Sequence, residues 1–193
     1  PHCTLLPVYA RMENADGPMG AGIFLVDGDM PGVHKSKPIE TIHRGCGVEA
    51  EIFLEEVRLP ADRLIGEGNK GALHNALGVI TDMRVAQAAR FLAGAEMAFD
   101  LTVDYVKNRK AFGQTVFDFQ NTQHQLAEMM TSICTLRPFA DICLSKIADG
   151  TLTPAESAMA KLATSEAEFT IADRCLQLHG GMGIALETPI AKI

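Results

Sequence analysis

Residues 71–113, GALHNALGVITDMRVAQAARFLAGAEMAFDLTVDYVKNRKAFG, decide how the rest of the chain is read. Leu73, Leu77, Ile80, Ala88, Phe91, Ala95, Phe99, Val103 and Val106 recur at steps that keep one apolar stripe on a helix. The pattern predicts a helix of about 36 residues, near 54 Å at about 1.5 Å per residue. Arg109 and Lys110 close it, cations where the helix dipole favours them. Phe112-Gly113 follows, an aromatic ring and a flexible residue that helix termination alone does not require.

Downstream the same grammar repeats twice. A second helix is predicted over Gln120–Asp149, with Leu126, Met130, Ile133, Ala140, Leu144 and Ile147 on its stripe. Pro138 is expected to kink it, because proline lacks the backbone donor and crowds the preceding turn, and Gly150 stops it. A third helix starts where Thr153 caps, Pro154 takes the first helical position and Glu156 completes a capping box. It runs to about His179, where Gly180-Gly181 breaks it. Three long helices on short loops must lie roughly antiparallel, and such stripes call for a fourth helix to close a bundle.

Upstream the period changes from helical to alternating. Thr4–Tyr9, Gly20–Val26 and Val48–Leu54 are short apolar runs separated by turn residues. Pro7 assigns the first of these to a sheet edge. Residues 14–18 and 27–32 carry turn chemistry. The fold class expected is therefore α+β: a partial antiparallel β-domain over residues 1–65, then an up-down bundle over 66–193 with three of four long helices present. Three or four strands are few for a free-standing sandwich or barrel, and the chain is expected to be a fragment cut at both ends.

Composition narrows the function. The 193 residues carry a net charge of −7, with 47% hydrophobic and 21% charged residues, which excludes a surface built for nucleic acid. No apolar run approaches the roughly 20 residues that span a bilayer. Five cysteines, without a close pair, and six histidines offer no metal-ligand spacing; Cys134, Cys143 and Cys175 read as small apolar filler within helices. Gly66-Glu67-Gly68-Asn69-Lys70-Gly71 has the letters of a dinucleotide fingerprint. It lacks the strand–helix–strand unit that such a loop serves, and reads as a hinge. Glu128, Glu166 and Glu168 read as solvated or paired side chains.

Two helix ends and one arginine within the first helix concentrate the chemistry. Arg109, Phe112 and Gly113 at one helix end, and Gln177, Gly180 and Gly181 at another, supply a guanidinium, a stacking face, an amide and close backbone approach. That set suits a large phosphate-bearing aromatic cofactor. Arg84 falls near the Leu73 stripe; either its stem packs while the head escapes to a carboxylate, or it faces a polar ligand.

At these residues the chain resembles the middle and C-terminal part of a flavin-dependent acyl-CoA dehydrogenase. The resemblance covers essentially the whole chain. It rests on Glu56-Val57-Arg58-Leu59-Pro60, Arg109-Lys110-Ala111-Phe112-Gly113, Phe119-Gln120, Ala160-Lys161, Gln177-Leu178-His179-Gly180-Gly181 and Glu187-Thr188-Pro189-Ile190. It implies a β-domain followed by a four-helix bundle that assembles as a homotetramer, a dimer of dimers, with FAD as cofactor. It assigns Arg109 to the pyrophosphate, Phe112 to the adenosine side, Gln120 to a nearby hydrogen bond, and Gln177, Gly180 and Gly181 to the adenosine end. Arg84 would line the acyl-CoA site.

The family reaction is α,β-dehydrogenation of an acyl-CoA thioester to the trans-2-enoyl-CoA, with electrons passed to an electron-transfer flavoprotein. Most members carry the catalytic glutamate in a segment expected beyond Ile193. Long-chain and isovaleryl members carry it immediately before the helix arginine, where this chain has Met83, which cannot accept a proton. The alternatives are a non-catalytic assembly subunit of the same fold and an acyl-CoA oxidase. The expected compartment is the cytoplasm in a bacterium and the mitochondrial matrix in a eukaryote.

Overall fold

A computed structural model describes residues 3–14, 16–40, 49–66 and 72–193, and the chain divides into two compact units, Pro1–Leu77 and Gly78–Ile193. Most of the expected hinge at 66–71, together with Cys46 and Val48, lies outside the described residues.

In the first unit, β1 (Leu5–Asn14) and β2 (Gly17–Asp27) form a long antiparallel hairpin, from Leu5 opposite Asp27 to Asn14 opposite Gly17. A bulge between Met12 and Glu13 adjusts its register. β5 (Leu64–Ile65) pairs with the other side of β2, so among the described strands β1 lies on the edge, a position compatible with Pro7. A second, two-stranded sheet joins β3 (Val33–Lys35) to β4 (Ile52–Leu54). Gly32 precedes it at φ +88, where an added Cβ would fall 2.1 Å from the Glu55 carbonyl oxygen. Arg63 grips Asp27 through both guanidinium nitrogens, at 3.2 and 2.7 Å. Val26 is buried, whereas Leu5, Tyr9, Phe53 and Ile65 are exposed. The described residues thus leave much of the apolar sheet surface uncovered.

The second unit is built on three long helices: α1 (Ala72–Asn108) from Gly78 onward, α2 (Gln120–Ala148) and α3 (Pro154–His179). Thr153 accepts from the Glu156 N–H while Glu156 reaches back to the Thr153 N–H, so α3 begins as its sequence dictates. Gly150, at φ +65, turns the chain between α2 and α3. Leu92, Phe99 and Val106 of α1 share a core with Leu126, Met129 and Ile133 of α2 and Ile171 and Cys175 of α3. Val85, Ala88, Cys143 and Ala160 make a smaller cluster of buried residues.

Four expectations about the helices need correction. Among the described side chains of α1, Thr81, Val85 and Ala88 are buried while Leu77 and Ile80 are exposed, and the Leu73 side chain lies outside the described residues. In α2, Met129 and Cys143 are buried in place of their neighbours Met130 and Leu144. Where two apolar residues stand side by side, periodicity does not say which one turns inward; the partner helix does. Arg84, next to Val85, accordingly lies on the exposed side of α1 rather than on its buried stripe. Cys134 is likewise exposed, unlike Cys143 and Cys175. The helical assignment of α2 continues through Pro138.

Candidate functional site

The end of α1 is more elaborate than a simple stop. The Arg109 N–H closes the last helical bond, donating to the Tyr105 carbonyl at 2.8 Å. The chain then forms a small hairpin, β6 (Lys110–Ala111) against β7 (Gln114–Thr115). Its two central residues, Phe112 and Gly113, both have positive φ, +54 and +84. Such a turn matches the twist of the strands it joins, and it favours Asn-Gly because the left-handed region crowds a side chain. Here the first position carries phenylalanine, 96% exposed, touching Phe119 edge-on at 6.4 Å between ring centroids. Thr115 donates to the Asp118 carboxylate from both its N–H and its hydroxyl, at 2.8 and 2.6 Å, which pulls that carboxyl below the usual carboxylate range. This leads into α2.

The end of α3 uses glycines for three different reasons. Gly180 adopts φ +58 and ψ −138, a conformation open mainly to glycine. Gly183 packs so closely on α3 that an added Cβ would meet the Leu176 carbonyl oxygen at 2.4 Å. Gly181 has neither constraint: its φ is outside the positive range and, its own local backbone and chain neighbours aside, no heavy atom lies within 4 Å of where its Cβ would sit. The fold leaves open space there.

Arg109, Gln177, Gly180 and Gly181 line a single cavity of about 360 Å³, shared with Tyr105, Val116 and His179. Four of the residues singled out in the sequence therefore meet, although Arg109 follows α1 and the other three lie at the end of α3. Among the described residues no ion pair engages Arg109, so its guanidinium remains available to an anion. Three others do not line this cavity. Phe112 sits at the hairpin tip, Gln120 is exposed at the first position of α2, and Arg84 lies about 37 Å back along α1 at about 1.5 Å per residue.

Two further residues, Tyr105 and His179, line the cavity without having been assigned a role from the sequence. Their rings stack, with centroids 4.2 Å apart and planes inclined by 21°. The Tyr105 hydroxyl donates to the His179 carbonyl at 3.3 Å. Two signals were available: Tyr105 precedes Arg109 by one helical turn, and His179 separates Gln177 from Gly180. A second cavity, about 430 Å³ between α2 and α3, is lined by Glu128, Glu166 and Arg174. Its arginine is already paired with Glu128 at 2.7 Å. Among the described residues no three His, Cys, Asp or Glu side chains group as a metal site, and no helix is long and apolar enough to cross a membrane.

Comparison with known proteins adds to this geometry. The family described as "Acyl-CoA dehydrogenase, C-terminal domain" matches residues 69–193. The mitochondrial long-chain specific acyl-CoA dehydrogenase of Rattus norvegicus is 42% identical over 173 residues, 90% of this chain and 40% of that protein. The chain therefore spans about two fifths of that relative's length. The crystal structure of an acyl-CoA dehydrogenase from Geobacillus kaustophilus superposes with a TM-score of 0.90 at 32% identity, covering 99% of this chain and 50% of its own. A glutaryl-CoA dehydrogenase from Mycobacterium smegmatis, solved in complex with FADH2, aligns at 27% identity with a TM-score of 0.84, covering 98% of this chain and 47% of its own.

Proposed function

The chain belongs to the acyl-CoA dehydrogenase family, and from that premise we propose that the Arg109–Gly181 cavity is the nucleotide end of an FAD site. The observation that carries the proposal is the convergence of Arg109, Gln177, Gly180 and Gly181 on one cavity beside an unfilled space at Gly181. The residues fit the cofactor. Arg109 offers a planar fork matched to pyrophosphate oxygens. Gln177 supplies an amide able to donate and accept. Gly180 and Gly181 allow the backbone to come close. Phe112 and Gln120 serve the same cofactor from the hairpin and the start of α2.

The whole enzyme would convert an acyl-CoA thioester to its trans-2-enoyl-CoA and pass electrons to an electron-transfer flavoprotein, working as a homotetramer in a mitochondrial matrix or bacterial cytoplasm. FAD, when bound, supplies the hydride acceptor. Arg84, exposed on α1, is assigned to binding acyl-CoA. Met83 carries no basic group, so no residue of this stretch is assigned as the base that removes the α-proton.

Flavin content of the purified full-length protein tests the reading. Arg109→Ala is expected to lose more FAD than Arg109→Lys, because lysine keeps the charge without the bidentate fork. Equal flavin in both variants and wild type would contradict the assignment. Bleaching of the flavin by acyl-CoA supports a catalyst. A folded protein that never retains flavin, even with acyl-CoA present, supports the assembly-subunit reading favoured by Met83. Fast reoxidation by oxygen would point to an oxidase.

A further inference from the structure

We propose that the stacked pair Tyr105–His179 is a positioning strut that holds the Gln177–Gly181 end of the cavity at a set distance from Arg109. The inference rests on reading the cavity as the FAD site, and concerns residues to which that reading gives no role. His179 closes α3 and is 5% exposed. Its Nδ1 lies 2.8 Å from the Cys175 carbonyl oxygen. A carbonyl only accepts, so this bond requires the proton on Nδ1 and fixes the ring plane against its own helix.

Against that fixed plane lies the Tyr105 ring, 4.2 Å away and inclined by 21°. The Tyr105 hydroxyl takes up the His179 carbonyl, one of the last carbonyls of α3, which lack a partner within the helix. On its other side, the Tyr105 carbonyl accepts the Arg109 N–H at 2.8 Å. One continuous path of contacts therefore runs from Arg109 through Tyr105 and His179 to Gly180. Neither ring must touch the nucleotide to matter. A ligand gripped at both ends binds well only if those ends are held at the right separation beforehand.

A merely structural pair would lower stability and leave nucleotide affinity alone, which separates the two roles. The measurements are the FAD dissociation constant and the unfolding midpoint of the full-length protein. Tyr105→Leu removes the stack and the hydroxyl, Tyr105→Phe removes the hydroxyl alone, and His179→Phe keeps a stack without the Nδ1 bond. Ile133→Val, deep in the same core, supplies destabilisation without contact to the cavity. The expected result is FAD binding at least about tenfold weaker in Tyr105→Leu, intermediate in Tyr105→Phe and His179→Phe, and unchanged in Ile133→Val. If Tyr105→Leu does not fold, the two phenylalanine variants decide. FAD affinity in the Tyr105 and His179 variants equal to wild type overturns the strut while leaving the FAD site standing. A folded wild type that binds no FAD overturns both.

Discussion

At the tip of the β6–β7 hairpin the chain carries a large ring where glycine or asparagine would be easier, and at the end of α3 it carries a glycine where a side chain would fit. Phe112 is held at φ +54 with its ring almost wholly in solvent, which costs about 1 kcal/mol of backbone strain. Gly181 gives up the rigidity of an alanine although nothing crowds it. Folding alone explains neither choice, and the two depart from it in opposite directions. Both make sense if something outside the fold is to be touched by a ring at one place and approached by bare backbone at the other.

Gly183 marks the limit of that comparison, because its glycine is wholly structural. Gly183→Ala drives a methyl into the Leu176 carbonyl oxygen, and backbone cannot swing aside. A loss of about 3 kcal/mol is expected by chemical denaturation. A loss within experimental error would mean that the Gly180–Ile184 turn does not pack on α3 as described.

The opposite end of α3 provides the control. Thr153→Ala removes a capping box and should cost about 1 kcal/mol while leaving FAD affinity at the wild-type level; weaker binding would show that general loosening of α3 suffices. Lys146 and Thr153 hold the Glu156 carboxyl down at about 2. Because this pKa is depressed in the folded state, its contribution is complete above the ordinary carboxylate range and is lost as the pH falls toward 2. Unfolding midpoints of wild type and Glu156→Gln should therefore converge in strong acid; a gap that persists unchanged at pH 2 would contradict the assignment.

Phe112 sharpens the comparison at its strained end. Phe112→Asn produces the Asn-Gly pair that such turns prefer. It should stabilise the protein, by less than about 1 kcal/mol once the lost edge contact with Phe119 is subtracted, and weaken FAD retention at the same time. Reduced stability would show that the ring is there for the fold.

How much of this was legible beforehand follows from the range of the forces involved. The start of α3 could be read outright because Thr153, Pro154 and Glu156 act within one turn. The edge position of β1 among the described strands was expected from a single missing N–H at Pro7. Arg109, Gln177, Gly180 and Gly181 were visible as types suited to a nucleotide, but only the packed helices bring them together. The hairpin after Arg109 escaped notice because its turn carries phenylalanine where the usual signal is asparagine. Met129 and Met130, or Cys143 and Leu144, are interchangeable until a neighbouring helix selects one face. Tyr105 and His179 meet only through the register of α1 against α3, which no local pattern encodes.

The central claim is that the open space at Gly181 belongs to a bound nucleotide, and Gly181→Ala addresses it with the smallest possible change. An alanine in an unstrained conformation should leave stability unchanged or raise it by up to about 1 kcal/mol. Titration of FAD into the folded variant should nevertheless show affinity at least about tenfold below wild type, a difference of about 1.4 kcal/mol. Full FAD affinity with a methyl group at that position would contradict the account.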